Sequence, residues 1–460
     1  MVCANGLPAR SQLASTGGAP RGWLTAGDKR YQPISLSGWQ EPTGSTSSAA
    51  SPSTVEVDPT RSFQSILGFG GAFTDSSCFL FSQMGADQRR QLLAELFSPA
   101  GLRFSVARTC IGSSDYSLSA YTFDDSPSPD PDLSHFSIEH DRAYILPTLR
   151  EAAFTQPDLF FFSTPWSPPA WMKTGDSLLG GSMRKYYFDS YAQYFVKFID
   201  AYKSAGVNIR AVTIQNEVDT DQDGRMPATL WGQEYEGEFI KSFLGPALSS
   251  ASLDTKIWLL DHNFNLWGRV MDLLGDPDVC HFVDGVAWHA YAGEPDAMTR
   301  VHDAYPSKSA YFTEYGPFIT DADYLTGWAK WSAAYAQIFT NWARCAVAWN
   351  LLLNEKGGPN LGPFNCGGVV TIDSKTQQLT RSGQYWALAH YSKTVQRGAR
   401  VIASNSSLPG VDHVAFANPD GTFVLVLTNQ GKERDIQCKF QGNALCSKLP
   451  ADSVLSLQWA

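Results

Sequence analysis

The sequence predicts an α/β chain: a (β/α)8 TIM barrel with an associated antiparallel side β-sandwich. Three observations carry this. Eight apolar runs, each closed by glycine or polar residues, alternate with segments of helical patterning. The runs are nearly continuous in apolar character, as strands of a parallel sheet covered on both faces must be. After about Ser392 the pattern changes to strand following strand, with no helix between.

In chain order, residues 1–53 include "EPTGSTSSAASPST", rich in Ser, Thr and Pro and loop-like. "TVEVD" alternates apolar and polar residues and reads as a strand, so 54–62 are assigned to the side β-domain. The barrel runs, over 63–392, are "ILGFGGAFTD", "FSVARTCIGSSD", "LFFFSTPWS", "AVTIQNE", "IWLLDHN", "GVAWHAY", "AYFTEYG" and "CAVAWN". Between them, "ADQRRQLLAELF" and "YYFDSYAQYFVKFIDAYKSAG" have helical patterning, the second stopped by Gly206. Over 393–460, "DHVAFANPDGTFVLVLTNQ" reads as two strands joined by an NPDG turn, and "RDIQCKF" and "SVLSLQW" continue the strands. No internal repeat of solenoid length is visible.

Composition excludes several classes. With 460 residues and 43% of them hydrophobic, the chain can bury a large core. A net charge of -10 and the lack of basic runs argue against nucleic-acid binding. Charged residues make up 17%, below the roughly 25% usual in globular chains. Ser, Thr, Gly and aromatics take their place, as on secreted carbohydrate-active proteins. Aromatic residues, at 13%, also permit a cleft in which a flat ring stacks on a pyranose.

No apolar run reaches the roughly 18 residues that span a membrane. The opening "MVCANGLPARSQLASTGGAP" lacks the apolar segment of a signal peptide. The expectation is a secreted or periplasmic protein whose signal lies outside this numbering, with a cytoplasmic protein as the alternative. Eight cysteines without C-x-x-C spacing argue against a zinc site. Cys438 and Cys446 are placed to pair across a hairpin or to stay reduced. Cys78, Cys110 and Cys345 lie in apolar contexts that suit buried thiols. Oligomeric state is not readable from the sequence.

Active sites of such barrels lie at the carboxyl ends of the strands. Two carboxylates finish apolar runs there: Glu217 after the fourth and Glu314 after the seventh. Those strands lie on opposite sides of the ring, so the two side chains face one another across the mouth. A facing pair suits glycosidic bond cleavage. One carboxyl arrives protonated and donates to the leaving oxygen, while the other attacks the anomeric carbon. A separation of about 5–5.5 Å gives retention through a covalent glycosyl-enzyme. Asn216, beside Glu217, is placed to hold a sugar hydroxyl. The alternative for either Glu is a solvated or salt-bridged strand end.

The motifs "GFGGAFTDSS", "TPWSPPAWMKT", "TIQNE", "FTEYG" and "WNLLLNEKGGPN" together resemble glycoside hydrolase family 30. The branch most similar is that of glucosylceramidases and fungal endo-β-1,6-glucanases. The motifs run in family order from about Trp23 to the C-terminus. The resemblance implies a barrel with a side β-sandwich and a retaining mechanism without metal or organic cofactor. Glu217 would be the acid/base and Glu314 the nucleophile. Asp115 in "IGSSDYS" would be the ionised carboxylate that binds sugar hydroxyls, or else a loop Asp. Trp166 and Trp349 would line the sugar site, or else belong to the core. Arg108 would hydrogen-bond a catalytic carboxylate. His289 and Tyr291 in "WHAYAG" match the family's "HWY" as substrate-site residues, and Tyr291 would donate to the nucleophile or merely pack.

Three departures stand out: Val218 where many relatives have Pro, "HAY" for "HWY", and Leu361 after "GGPN". All three are read as acting on the leaving-group side. The expected substrate is a β-glucoside, glycolipid or β-glucan. The leading reading is a glucosylceramidase-like β-glucosidase. The alternatives are an endo-β-1,6-glucanase, β-xylosidase or β-fucosidase, or a non-catalytic carbohydrate-binding barrel.

Overall fold

The computed structural model describes residues 19–41, 53–406 and 408–460, and in it eight parallel strands close into a barrel. We number these β1 (Gly68–Phe73), β2 (Val106–Ile111), β3 (Phe160–Pro165), β4 (Ile209–Thr213), β5 (Lys256–Asn263), β6 (Val283–His289), β7 (Ser309–Glu314) and β8 (Ala343–Asn350). Each apolar run supplies one strand, in order around the ring, and β8 pairs with β1 to close it.

Alternate strand residues point into the ring. Val106, Phe162, Ala211, Trp258, Tyr311 and Val347 share one small buried cluster there. The Trp258 and Tyr311 rings stack with centroids 3.8 Å apart. Their neighbours Ala107, Phe161, Val212, Leu259 and Phe312 belong to the larger core shared with the surrounding helices. Two residues further along the strands, Arg108, Thr164, Thr213 and Thr313 replace apolar side chains, and all are buried. Gly70 in β1 has no room for a side chain, since a Cβ would lie 1.7 Å from the Val106 carbonyl oxygen.

The helical patterns form helices at Ala86–Phe97 and Phe188–Ser204. The first buries Leu92, Leu93, Leu96 and Phe97. The second ends because Gly206 turns left-handed at φ 85. The Gly206 and Val207 amides then return to the Lys203 and Tyr202 carbonyls at 3.0 and 2.9 Å.

The side domain is a nine-stranded sheet in the order Asn443–Leu449, Arg434–Phe440, Ser53–Ser65, Arg400–Ser406, Val411–Ala417, Phe423–Asn429, Ser453–Trp459, Arg21–Ala26 and Lys29–Ile34. Leu24, Val55, Leu425, Leu445, Leu455 and Trp459 share one core, so strands from both ends of that order close over it. "TVEVD" lies in the long third strand, with Val55 and Val57 buried and Glu56 exposed. One pair departs from the expected antiparallel pattern: Ser53–Val57 runs parallel to Ile436–Phe440. The N-terminal segment also holds more strand than its composition suggested. Lys29–Ile34 is mostly polar because, among the described residues, it is an edge strand paired on one side only. Most of "EPTGSTSSAASPST" lies outside the described residues, as does the opening stretch up to residue 18.

Helices Trp328–Thr340 and Gly383–Ser392 join the two units. Ser332 Oγ meets Thr428 Oγ1 at 2.6 Å, and His390 meets Thr25 and Ser456 hydroxyls at 2.8 and 3.0 Å. Cys438 and Cys446 do not pair. Cys438 stands opposite Leu445 and Cys446 opposite Gln437, so the two thiols point to opposite faces of the sheet. Cys78, Cys110 and Cys345 are buried free thiols. Among the described residues, no helix is long and apolar enough to cross a membrane.

Candidate active site

Strand β4 ends at Thr213, three residues before the Asn–Glu pair. Neighbouring strand ends then hold that pair. The Asn216 amide donates to the Pro165 carbonyl at 2.8 Å and the Glu217 amide to the Asp261 carbonyl at 3.0 Å. Glu217 turns left-handed at φ 55 and aims its carboxyl over the barrel mouth. Glu314 is the last residue of β7 and only 6% exposed. Both line a cavity of about 500 Å³, together with Asp115, Trp166, Asn216, Tyr291 and Trp349.

Glu314 is gripped on both oxygens. Arg108 Nη1 donates to Oε2, and the Tyr291 hydroxyl donates to Oε1 at 2.9 Å. Arg108 Nη2 also donates to Asn216 Oδ1 and to Asp261 Oδ2, each at 2.8 Å. The guanidinium sits 4.9 and 5.3 Å from the ring centres of Trp166 and Trp349, which stack on each other. These Trp residues are therefore both core and pocket wall.

Asp261 is the hub beneath the site. It accepts from Arg108, from Thr164, Thr213 and Thr313 hydroxyls at 2.9, 2.9 and 2.7 Å, and contacts His289 Nε2 at 3.0 Å. Burial alone would raise its pKa. The Arg108 charge and the His289 hydrogen bond outweigh that and hold it far below the usual carboxylate range. A bulge puts Asp261 there. Leu260 and Asp261 are both left-handed, at φ 75 and 49, and the pairing with β6 slips between Leu260 and His262. From inward-facing Trp258, strict alternation would send Leu260 inward and Asp261 outward. The bulge sends Leu260 to the outer core and Asp261 to the mouth. Buried Glu236 takes the Leu260 amide at 3.1 Å and helps hold this strained step.

The second carboxyl, Glu217, meets two histidines. His289 Nδ1 lies 3.4 Å from Glu217 Oε1 and 4.0 Å from Glu314 Oε1, so one ring touches both acids. Burial alone would lower the His289 pKa, but the charge of Glu314 and the bonds to Asp261 and Glu217 raise it to about 9. Burial alone would raise Glu217, but the His289 hydrogen bond and the charges of His262, His289 and Arg108 lower it. The two shifts together favour the proton on His289, one hydrogen-bond step from Glu217. Gln222 Nε2 donates to the other oxygen, Oε2, at 2.8 Å.

Two sequence expectations change here. His289 was expected to contact substrate, but it is fully buried beneath Glu217 and holds the acids instead. Asp115 was expected to be ionised. Burial first, and then repulsion by Glu314 and Glu217, push its pKa well up, against the ionised form. Its Oδ1 has no hydrogen-bond partner among the described residues. Val218 lies in the core, and the Leu361 amide braces the Asp115 carbonyl at 2.6 Å. Sequence reasoning missed Asp261, His262 and Gln222. The first two lay in the quoted run "IWLLDHN", where alternation pointed elsewhere; Gln222 carried no local signal.

Comparison with known proteins agrees with this geometry. The model of the glycosyl hydrolase family 30 TIM-barrel domain matches residues 66–395, and that of the family's beta sandwich domain matches 398–457. An endo-1,6-beta-D-glucanase of Neurospora crassa is 34% identical over 434 residues, 89% of this chain and 88% of that protein. The lysosomal acid glucosylceramidase of Mus musculus is 30% identical, over 82% of this chain and 78% of that protein. A solved endo-beta1,6-glucanase superposes with TM-score 0.86 at 30% identity, over 96% of this chain and 99% of that one. The chain belongs to glycosyl hydrolase family 30 and is a retaining O-glycosyl hydrolase.

Proposed function

We propose that the chain cleaves β-1,6-linked glucan internally, through a covalent glycosyl-enzyme. Glu314 attacks the anomeric carbon as the bond to the leaving oxygen breaks, and Glu217 gives that oxygen its proton. Water then loses a proton to Glu217 and attacks the same carbon, releasing Glu314. Arg108 and Tyr291 stabilise the Glu314 carboxylate, which suits a nucleophile. Asp115, with a free oxygen in the pocket, anchors a sugar hydroxyl.

The linkage rests on one observation. Identity to the Neurospora endo-1,6-beta-D-glucanase is 34%, against 30% to the mouse glucosylceramidase. The rim fits a glycan longer than one sugar: Phe318 and Tyr291, 46% and 44% exposed, offer aromatic faces beside the pocket. This reading replaces the glucosylceramidase-like one as the leading choice.

The test is a panel at equal enzyme concentration: a β-1,6-glucan, a β-1,3-glucan, glucosylceramide in detergent and an aryl β-xyloside. Short gluco-oligosaccharides should appear first, from the β-1,6-glucan. Turnover of glucosylceramide with none of the glucan would overturn the proposal.

A further inference from the structure

We propose that Glu217, His262 and His289 form a site for a single Zn²⁺ ion, which binds from the pocket and blocks the acid/base. Each of the three residues offers a donor atom, and these atoms lie within 4.8 Å of one another. Oε1 is 3.4 Å from His289 Nδ1 and 3.6 Å from His262 Nδ1. A tetrahedral zinc with bonds of about 2.0–2.1 Å sets its ligand atoms roughly 3.3–3.4 Å apart. Both spacings from Glu217 already lie near that value, and the two histidine donors lie within 4.8 Å of each other.

Three further observations point the same way. His262 Nδ1 is buried, with no hydrogen-bond partner among the described residues. The residue is 7% exposed, yet it lines the pocket beside Glu217. Each histidine is also oriented from behind by a carboxylate: His262 Nε2 lies 2.9 Å from Asp219 Oδ1 and His289 Nε2 lies 3.0 Å from Asp261 Oδ1. A carboxylate behind each ring fixes the proton on Nε2 and turns the Nδ1 lone pair toward the ion, as at protein zinc sites. Gln222 holds Glu217 Oε2, which leaves Oε1 for the metal. Two imidazoles and one carboxylate suit zinc, and the fourth position opens on the pocket. No cysteine takes part, so the missing C-x-x-C spacing does not bear on this site.

The bound ion takes the place of the proton between His289 and Glu217. Glu217 then has no proton to give and no free oxygen to receive one. The site itself rests on donor geometry alone, and only its effect on hydrolysis rests on the proposed role of Glu217.

The test is equilibrium dialysis of the full chain against Zn²⁺ near neutral pH, with hydrolysis of a β-1,6-glucan, whose leaving sugar needs the proton of Glu217, followed in parallel. One tight zinc per chain is expected, with affinity falling at least about 10-fold in His262→Ala. His135→Ala, which disrupts the separate Asp124, Asp130 and His135 group, should bind as before. If His262→Ala does not fold, Glu217→Gln serves in its place. Co²⁺ added to the unaltered protein should give the intense visible absorption of a four-coordinate ion with nitrogen ligands. Failure to retain zinc, equal retention by the His262 variant, or loss in the His135 variant alone overturns the site. Zinc bound as expected with hydrolysis unchanged supports the site and instead overturns the role of Glu217.

Discussion

At the barrel floor Val106, Phe162, Trp258 and Tyr311 fill the ring with apolar atoms. Two residues further along, β2, β3 and β7 present Arg108, Thr164 and Thr313, and the β5 bulge adds Asp261. The two layers are equally buried but stable for different reasons. The floor depends on filled volume, so it tolerates volume-conserving apolar swaps best. The mouth depends on each charge keeping its partner, since a stranded ion in a dry interior is costly. It is also where low dielectric strengthens electrostatic control of a reaction.

The largest expected effect lies at the mouth. Glu314→Gln should lower kcat on the order of 10⁴-fold or more, read from oligosaccharide release. Glu217→Ala should cost about 10²–10⁴-fold on glucan but far less on aryl glucosides with acidic phenols, which need little protonation. Equal losses on both substrates would remove Glu217 from the acid role.

A matched pair of variants separates the layers. Trp258→Ala and Asp261→Asn should each cost about 3–5 kcal/mol of unfolding free energy, one by a cavity and one by breaking a buried ion pair. Urea unfolding measures both. At a temperature where each remains folded, kcat should stay within a few-fold for the first and fall well over 10-fold for the second. Similar kcat values would erase the distinction between floor and mouth.

The smallest effect concerns charge outside the barrel. Arg381 grips Glu95 through Nε and Nη2 at 2.9 and 2.5 Å, with the Tyr385 hydroxyl at 2.7 Å. Burial alone would raise the Glu95 pKa, but these bonds lower it below 4.5. A lowered carboxyl stabilises the fold fully above its unfolded pKa and loses that contribution as pH falls through the folded value. Wild type should therefore lose more stability than Glu95→Gln between pH 6 and acid, seen as converging urea midpoints. Activity at pH 6 should be similar in the two, unlike any change at the mouth.

The same contrast shows what could be read from the chain. The floor was legible, because eight apolar runs with polar ends leave few other arrangements. Glu217 and Glu314 were legible as carboxylates at strand ends. Asp261 was not: a period of two placed it outside, and only the bulge reversed its direction. The Glu236 carboxyl that takes the Leu260 amide comes from a helix, Gln233–Phe239, 24 residues earlier in the chain, so no local pattern announces it. The strand Lys29–Ile34 stayed hidden for the opposite reason, since an edge needs no apolar alternation.

A pleated strand spends every second side chain on the far face of its sheet. In two places this barrel escapes that limit, and both are left-handed steps. Glu217, at φ 55, lets Asn216 and Glu217 serve the cavity as consecutive residues. Leu260 and Asp261, at φ 75 and 49, let Asp261 and His262 reach the mouth in succession. The irregular backbone thus doubles the chemical groups two strand ends deliver to one cavity. It also makes those short peptides poor places for proline or β-branched residues, however well the new side chain would fit.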